Sequence, residues 1–321
     1  MQDILIKAGC YIAIIILGIV LRRTGFFKEE DFNLITKLVM KVTLPAALIS
    51  SSAGMAISPS MLTIVLLGFG GGVIYVLVAF AANLRSAKER RAFEVLNTPG
   101  YNIGTFALPF TQNFLGSMGV VTTSLFDVGN VFICLGGAYG WQAKTIAWVR
   151  EHYGDIDIIP LCSTLPDGKG FDIKRIFRAL GHSLPFLVHV TMVALNLCRI
   201  RLPGPFLSFT QILANANAFL AMLMIGVGFK ISGGPGQIGR IVRILFMRYS
   251  VAAVLAFTAY FLLPFELEVR QALVILFFSP IGVAVPGFTL ELKEDVGLSC
   301  TINSMSILIS IVIIVSLLVM L

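Results

Sequence analysis

Ten apolar stretches follow one another along this 321-residue chain, at roughly 4–21, 33–53, 61–83, 95–115, 118–138, 179–198, 206–229, 241–264, 269–291 and 296–320. Each is about as long as the ~20 residues a helix needs to cross a bilayer. The fourth and ninth are the weakest, broken by Gly, Pro and polar residues. Such a succession leaves no polar surface for a water-soluble fold of Rossmann or TIM-barrel type. Charged residues make up 13% of the chain, about half the usual share in soluble domains. The expected fold is therefore an all-α polytopic membrane protein with ten transmembrane helices.

The net charge of +7 does not point to nucleic acid, because the basic residues lie at the ends of apolar runs rather than along one face. Arg22, Arg23, Lys28, Arg85, Lys88, Arg90, Arg91, Lys144, Arg150, Lys169, Lys174, Arg175, Arg178, Lys230, Arg240, Arg243, Arg248 and Lys293 follow odd-numbered runs. Only Lys7, Arg199, Arg201 and Arg270 belong to the other side, and Lys37 and Lys41 lie within the second run. The richer side is expected to be cytoplasmic, which places both termini outside a plasma or inner membrane. Arg22 and Arg23 follow the first run, whereas a cleaved signal carries its charge in front, so this segment is expected to stay in the bilayer. The five cysteines (Cys10, Cys134, Cys162, Cys198 and Cys300) are scattered and suggest neither a disulfide framework nor a metal site.

The fourth and ninth runs contain the most informative pattern. Adding 177 to each of the first five runs lands on one of the last five. Asn102 to Pro109 falls on Ser279 to Pro286, each with a polar residue seven positions before a proline and glycine between. Five spans is an odd number, so the second unit enters the membrane from the opposite face. The expected organisation is two inverted five-helix repeats, 1–139 and 176–321, joined by a cytoplasmic linker at 140–175. Inverted repeats with interrupted helices at matching positions typify secondary transporters. Proline removes a donor and clashes with the carbonyl a turn earlier, so both segments should open near mid-membrane, where open backbone survives only against protein or a wet cavity. Each restarted half-helix offers free N–H groups and about half a positive charge. An anion, most simply a carboxylate, is the expected guest.

Arg22-Arg23-Thr24-Gly25-Phe26-Phe27, Asn33, Leu44-Pro45 and Asn102-Ile103-Gly104 through Leu108-Pro109 together resemble the auxin efflux carrier family, which includes plant PIN-type carriers and bacterial permeases. The resemblance covers all ten runs in order and spacing. It implies a scaffold part made of the first two spans of each half, a transport part made of the last three, and crossed fourth and ninth helices. It further implies that organic anions are carried by an elevator-type, alternating-access mechanism. Asn102, Ile103, Gly104, Thr105 and Pro109, with Ser279, Gly282, Val283 and Pro286, would then face the substrate. The chain departs from the family at Pro99, an additional proline, and at Ser279, which stands where an asparagine is expected.

Asp127, about nine residues into the fifth run, is costly at that depth and hence a functional candidate. Asn130 shares its helical face. With carbonyls near Asn102 the pair could bind Na⁺; alternatively Asp127 could carry a proton, contact substrate or steady the fold. Asn303 occupies a comparable place in the tenth run. His182 and His189 lack a third ligand for a metal, and a packing role is expected for His189. Lys37 and Lys41 are expected to snorkel to headgroups, the alternative being attraction of anions into a cavity. Gly68, Gly70, Gly71 and Gly72 permit close helix contact, compatible with a homodimer. No nucleophile triad, phosphate loop or zinc motif occurs, so no enzyme and no cofactor is expected. Two other readings stand beside the organic-anion permease: a Na⁺-coupled symporter of the bile-acid type, and a ligand sensor on a transporter frame.

Overall fold

A computed structural model describes residues 2–28, 30–54, 59–134, 181, 184–232, 234–291 and 294–320. The linker at 140–175, Cys162, His182 and Lys293 lie outside the described residues. Those described are helical, without a strand. The helices are α1 (Gln2–Arg23), α2 (Asp31–Leu38), α3 (Leu44–Ser52), α4 (Thr63–Ala82), α5 (Lys88–Asn97), α6 (Leu108–Phe132), α7 (Leu184–Leu197), α8 (Gly204–Asn215), α9 (Asn217–Gly228), α10 (Ile238–Leu262), α11 (Leu267–Phe277), α12 (Val285–Glu291) and α13 (Val296–Met320).

Six helical stretches are long and apolar enough to cross a membrane: Leu5–Arg23, Asp31–Ser52, Ser60–Ala82, Gly204–Gly228, Ile238–Leu262 and Val296–Met320. The chain is membrane-embedded. The other four runs behave differently. Those at 95–115 and 269–291 are interrupted, residues 118–132 of the fifth run form the second arm of α6, and that at 179–198 is described mainly as α7. At Gly116 the backbone takes φ 61° and ψ −148°, a left-handed conformation that glycine adopts without a Cβ penalty. The chain reverses there, so α6 is a hairpin whose arms are joined by Thr123 Oγ1 donating to Thr111 Oγ1 at 2.8 Å.

Two Leu-Pro pairs shape the backbone in the same way. A π turn at Val39–Thr43 precedes Leu44-Pro45, and another at Ile103–Ala107 precedes Leu108-Pro109. Proline cannot donate, and its ring pushes on the carbonyl four residues back. The bonding therefore slips by one residue, as where Ala107 N donates to Asn102 O at 3.1 Å.

Packing sorts the helices into two groups. α4, α5, α6, α10, α11, α12 and α13 pack chiefly on one another, and α1, α2, α3, α7, α8 and α9 do likewise. Glycine sets the closest approaches within each. A Cβ on Gly18 would lie 2.7 Å from the Leu223 carbonyl oxygen, bringing α1 onto α9. Gly68 meets the Phe126 carbonyl and Gly129 the Val65 carbonyl, joining α4 to α6. Gly68, Gly71 and Gly72 of α4 thus serve packing inside the chain, while Gly70 has open space beside it. Between the groups, Tyr11 Oη donates to Pro109 O at 3.2 Å, Lys7 Nζ to Asn113 O at 3.4 Å and Gln112 Nε2 to Ser51 Oγ at 3.3 Å.

Candidate functional site

The two interrupted segments meet. α5 ends at Asn97, and Pro99, which has no N–H to donate, cannot continue it, while Gly100 turns with φ 79°. α11 ends at Phe277 and is followed by Ser279-Pro280-Ile281-Gly282 in non-helical backbone. Each break thus opens at a proline (Pro99, Pro280) and resumes helix at another (Pro109, Pro286). Asn102 N donates to Pro280 O at 2.9 Å, a direct main-chain link between the segments.

An asparagine from the following helix holds each break. Asn130 Oδ1 accepts from Tyr101 N at 3.0 Å, and its Nδ2 donates to Tyr101 O at 3.0 Å and to Asp127 Oδ1 at 3.0 Å. In α13, Asn303 Nδ2 donates to the carbonyls of Ile281 and Gly282, both at 3.1 Å. The fixed offset of 177 matches Pro109 to Pro286 but not the pairs before and after it. Asn303 performs the task of Asn130, to which the offset does not lead, because the stretches between proline and asparagine differ in length.

The structure also places a cation at the crossing. Arg248, counted from the sequence among the charges of a connection, lies ten residues inside α10 and is fully buried. Its guanidinium donates to the carbonyls of Thr98, Gly100 (2.9 Å) and Ser279 (2.8 Å). It also stands over the rings of Tyr75 and Tyr101, 5.0 and 5.6 Å from their centres. Those carbonyls belong to the ends of α5 and α11, where helix dipoles leave about half a negative charge each. The Arg248 charge is balanced there by main-chain dipoles. The positive charge at the crossing therefore comes from an arginine as well as from the half-helix starts, and the arginine faces the carbonyl ends. The signal was available, since a charge ten residues into an apolar helix is expensive.

What remains unengaged lies at the restarted arm. Asn102 is buried and its Nδ2 has no partner, while its Oδ1 accepts from Thr105 Oγ1 at 2.5 Å. The first N–H groups of a helix have no partner within it; here they follow Asn102, with no side-chain cap. The remaining candidates sit as follows. Ile103 and Thr105 are buried, and Gly104 is half-buried against Leu44, whose Cδ2 would stand 2.9 Å from an added Cβ. The Pro109 carbonyl accepts from Asn113 Nδ2 at 2.9 Å in addition to Tyr11. Ser279 is fully buried with its hydroxyl donating to Ile275 O at 3.1 Å, so its side chain points back into α11. Val283 is exposed and Pro286 half-buried.

A small cavity, large enough for about one water, lies between the two helix groups, lined by residues including Leu48, Val121, Ser124, His189 and Asn196. Ser124 Oγ and His189 Nε2 are buried there without partners. His189 hydrogen-bonds the Pro185 carbonyl, necessarily through its other nitrogen.

Compared with known proteins, the chain matches no family model and no curated protein.

Proposed function

We propose that this protein is a secondary transporter of small organic anions, carboxylates in particular. It is built of ten spans in two inverted repeats and is similar to the auxin efflux carriers. The observation that carries this reading is the Asn102 side-chain amide, buried without a partner at the uncapped start of an arm, beside a second break. A carboxylate at that point satisfies Asn102 Nδ2 and the N–H groups after it, which otherwise cost about 1–3 kcal/mol each when buried unpaired. Arg248 is engaged by carbonyls, so the guest is held by amides. The sorting of helices into two groups supports an elevator movement, the group carrying the breaks sliding against the other.

Asp127 is the coupling residue in this reading, and a proton suits it better than Na⁺. The Asn130 oxygen beside it already accepts from both Tyr101 N and Cys134 Sγ, which takes up its two lone pairs, so a cation there lacks its second side-chain ligand.

Uptake of labelled carboxylates into proteoliposomes tests the proposal. Wild-type protein accumulates at least one carboxylate in a pH-dependent manner. Asn102→Ala loses uptake by tenfold or more while keeping its thermal stability. Joining Ser51→Cys to Gln112→Cys with a short reducible cross-linker stops uptake until reductant is added. Undiminished flux through Asn102→Ala contradicts the assigned site, and undiminished flux through the cross-linked protein contradicts the movement.

A further inference from the structure

Along α2 and the π turn after it, two neighbouring stripes are exposed, and their chemistry differs. One is apolar: Leu34 at 58%, Leu38 at 42% and Val42 at 38% exposure. The other consists of Asn33, Lys37 and Lys41, also exposed, and neither lysine makes a hydrogen bond or ion pair among the described residues. The stripes are about 100° apart around the helix. Ile35, Val39 and Thr43, on the opposite side, are buried.

Depth makes the polar stripe informative. Asp31–Ser52 is one membrane span, and Lys41 stands ten residues along it, about 15 Å from Asp31 at ~1.5 Å per residue. That is half of a ~30 Å hydrocarbon core. An unpaired ammonium at that level facing lipid is disfavoured, and the stem of a lysine is too short to bring it to the headgroups. The apolar stripe meets lipid, and the lysine stripe must meet water.

The stripe leads to the proposed anion site. The π turn carrying Lys41 packs against the π turn at Ile103–Ala107. Leu44, immediately after the turn carrying Lys41, is buried and closes on Gly104. The hydrogen bonds that Lys7 and Tyr11 donate to the arm at Pro109–Asn113, and the one that Gln112 of that arm donates to Ser51, all lie at the other end of the span from Asp31. That end is latched to the arm itself, whereas at the Asp31 end the bonds between the groups run from the loop after α9 to α13, through Lys230 with Ser304 and Ser232 with Thr301, and leave the arm unheld.

We infer that Asn33, Lys37 and Lys41 line a water-filled vestibule on the Asp31 side of the crossing, which draws small anions toward Asn102 and ends at Leu44. The inference rests on the anion-transport reading and adds the path by which the anion arrives. A positively lined cleft with low-dielectric walls concentrates anions by about 10–10³-fold.

Single cysteines at Lys41, Lys37, Leu38 and Val42 test this in the full-length protein in vesicles, with thiol modification at each position read by peptide mass spectrometry. The probes are membrane-impermeant methanethiosulfonates, one anionic and one cationic. Lys41→Cys and Lys37→Cys react at least tenfold faster than Leu38→Cys and Val42→Cys. Lys41→Cys prefers the anionic probe, and adding Lys37→Gln reduces that preference threefold or more. Equal reactivity of the two stripes, or a preference indifferent to Lys37→Gln, overturns the vestibule; two lysine positions keep the test available if one variant does not fold. Labelling requires no substrate movement, so it fails or succeeds independently of uptake through Asn102→Ala.

Discussion

Arg248 illustrates what one residue does when nothing else can. The ends of α5 and α11 present the carbonyls of Thr98, Gly100 and Ser279 in a region without water, and a single planar guanidinium reaches all of them. Each buried carbonyl left unpaired costs about 1–3 kcal/mol. Arg248→Leu should therefore lower stability by several kcal/mol, read as a large fall in the midpoint of thermal unfolding in detergent. Arg248→Lys keeps the charge but not the fork, and its midpoint should fall between the two. Equal midpoints for wild type and Arg248→Leu would show that the breaks hold themselves. From the sequence this residue was grouped with connection charges, because proximity to Arg240 and Arg243 obscured its depth in α10. Asn102 was legible for the opposite reason: Pro109 and the glycine between them mark a break however the helices pack.

At the scale of elements, the uninterrupted spans were readable because lipid imposes apolar length directly. α5 was not. It begins at Lys88, before the expected start of its run, and its charges are in the helix rather than before it. Glu94 is fully buried, with Arg90 Nε at 3.0 Å, Arg240 Nε at 3.7 Å and Arg243 Nη1 at 3.9 Å, and Arg240 lies over the Phe93 ring at 4.3 Å. Arg240 and Arg243 come from α10, remote in sequence, so hydropathy alone could not admit these charges into a helix. The reversal at Gly116 was visible only as a gap between runs. Helix contact by glycine yields a sharper test. Gly68 and Gly129 abut backbone carbonyls of the facing helix, whereas a Cβ on Gly70 meets nothing within 4 Å. Overpacking costs about 1–3 kcal/mol, so Gly68→Ala and Gly129→Ala should each lower the unfolding midpoint by several degrees and Gly70→Ala should leave it unchanged. A fall with Gly70→Ala equal to the others would place α4 differently against α6.

Over the whole molecule, close glycine contacts hold each helix group together, while the boundary between the groups is looser. It carries a cavity with the unpartnered Ser124 Oγ and His189 Nε2, the bonds of one arm with Lys7, Tyr11 and Ser51, and those of the loop after α9 with Ser304 and Thr301. Two firm bodies with a modest contact between them suit the proposed relative movement, and the crossing lies within one of them. Its electrostatics are arranged so that Arg248 quiets the carbonyl ends and leaves the amide starts for a guest. Determination of the structure with a transported carboxylate bound examines this most directly. The account places a carboxylate oxygen about 3 Å from Asn102 Nδ2 and the N–H groups that follow it, with Arg248 still on its carbonyls. A carboxylate bound instead to the Arg248 guanidinium, with Asn102 untouched, would contradict it.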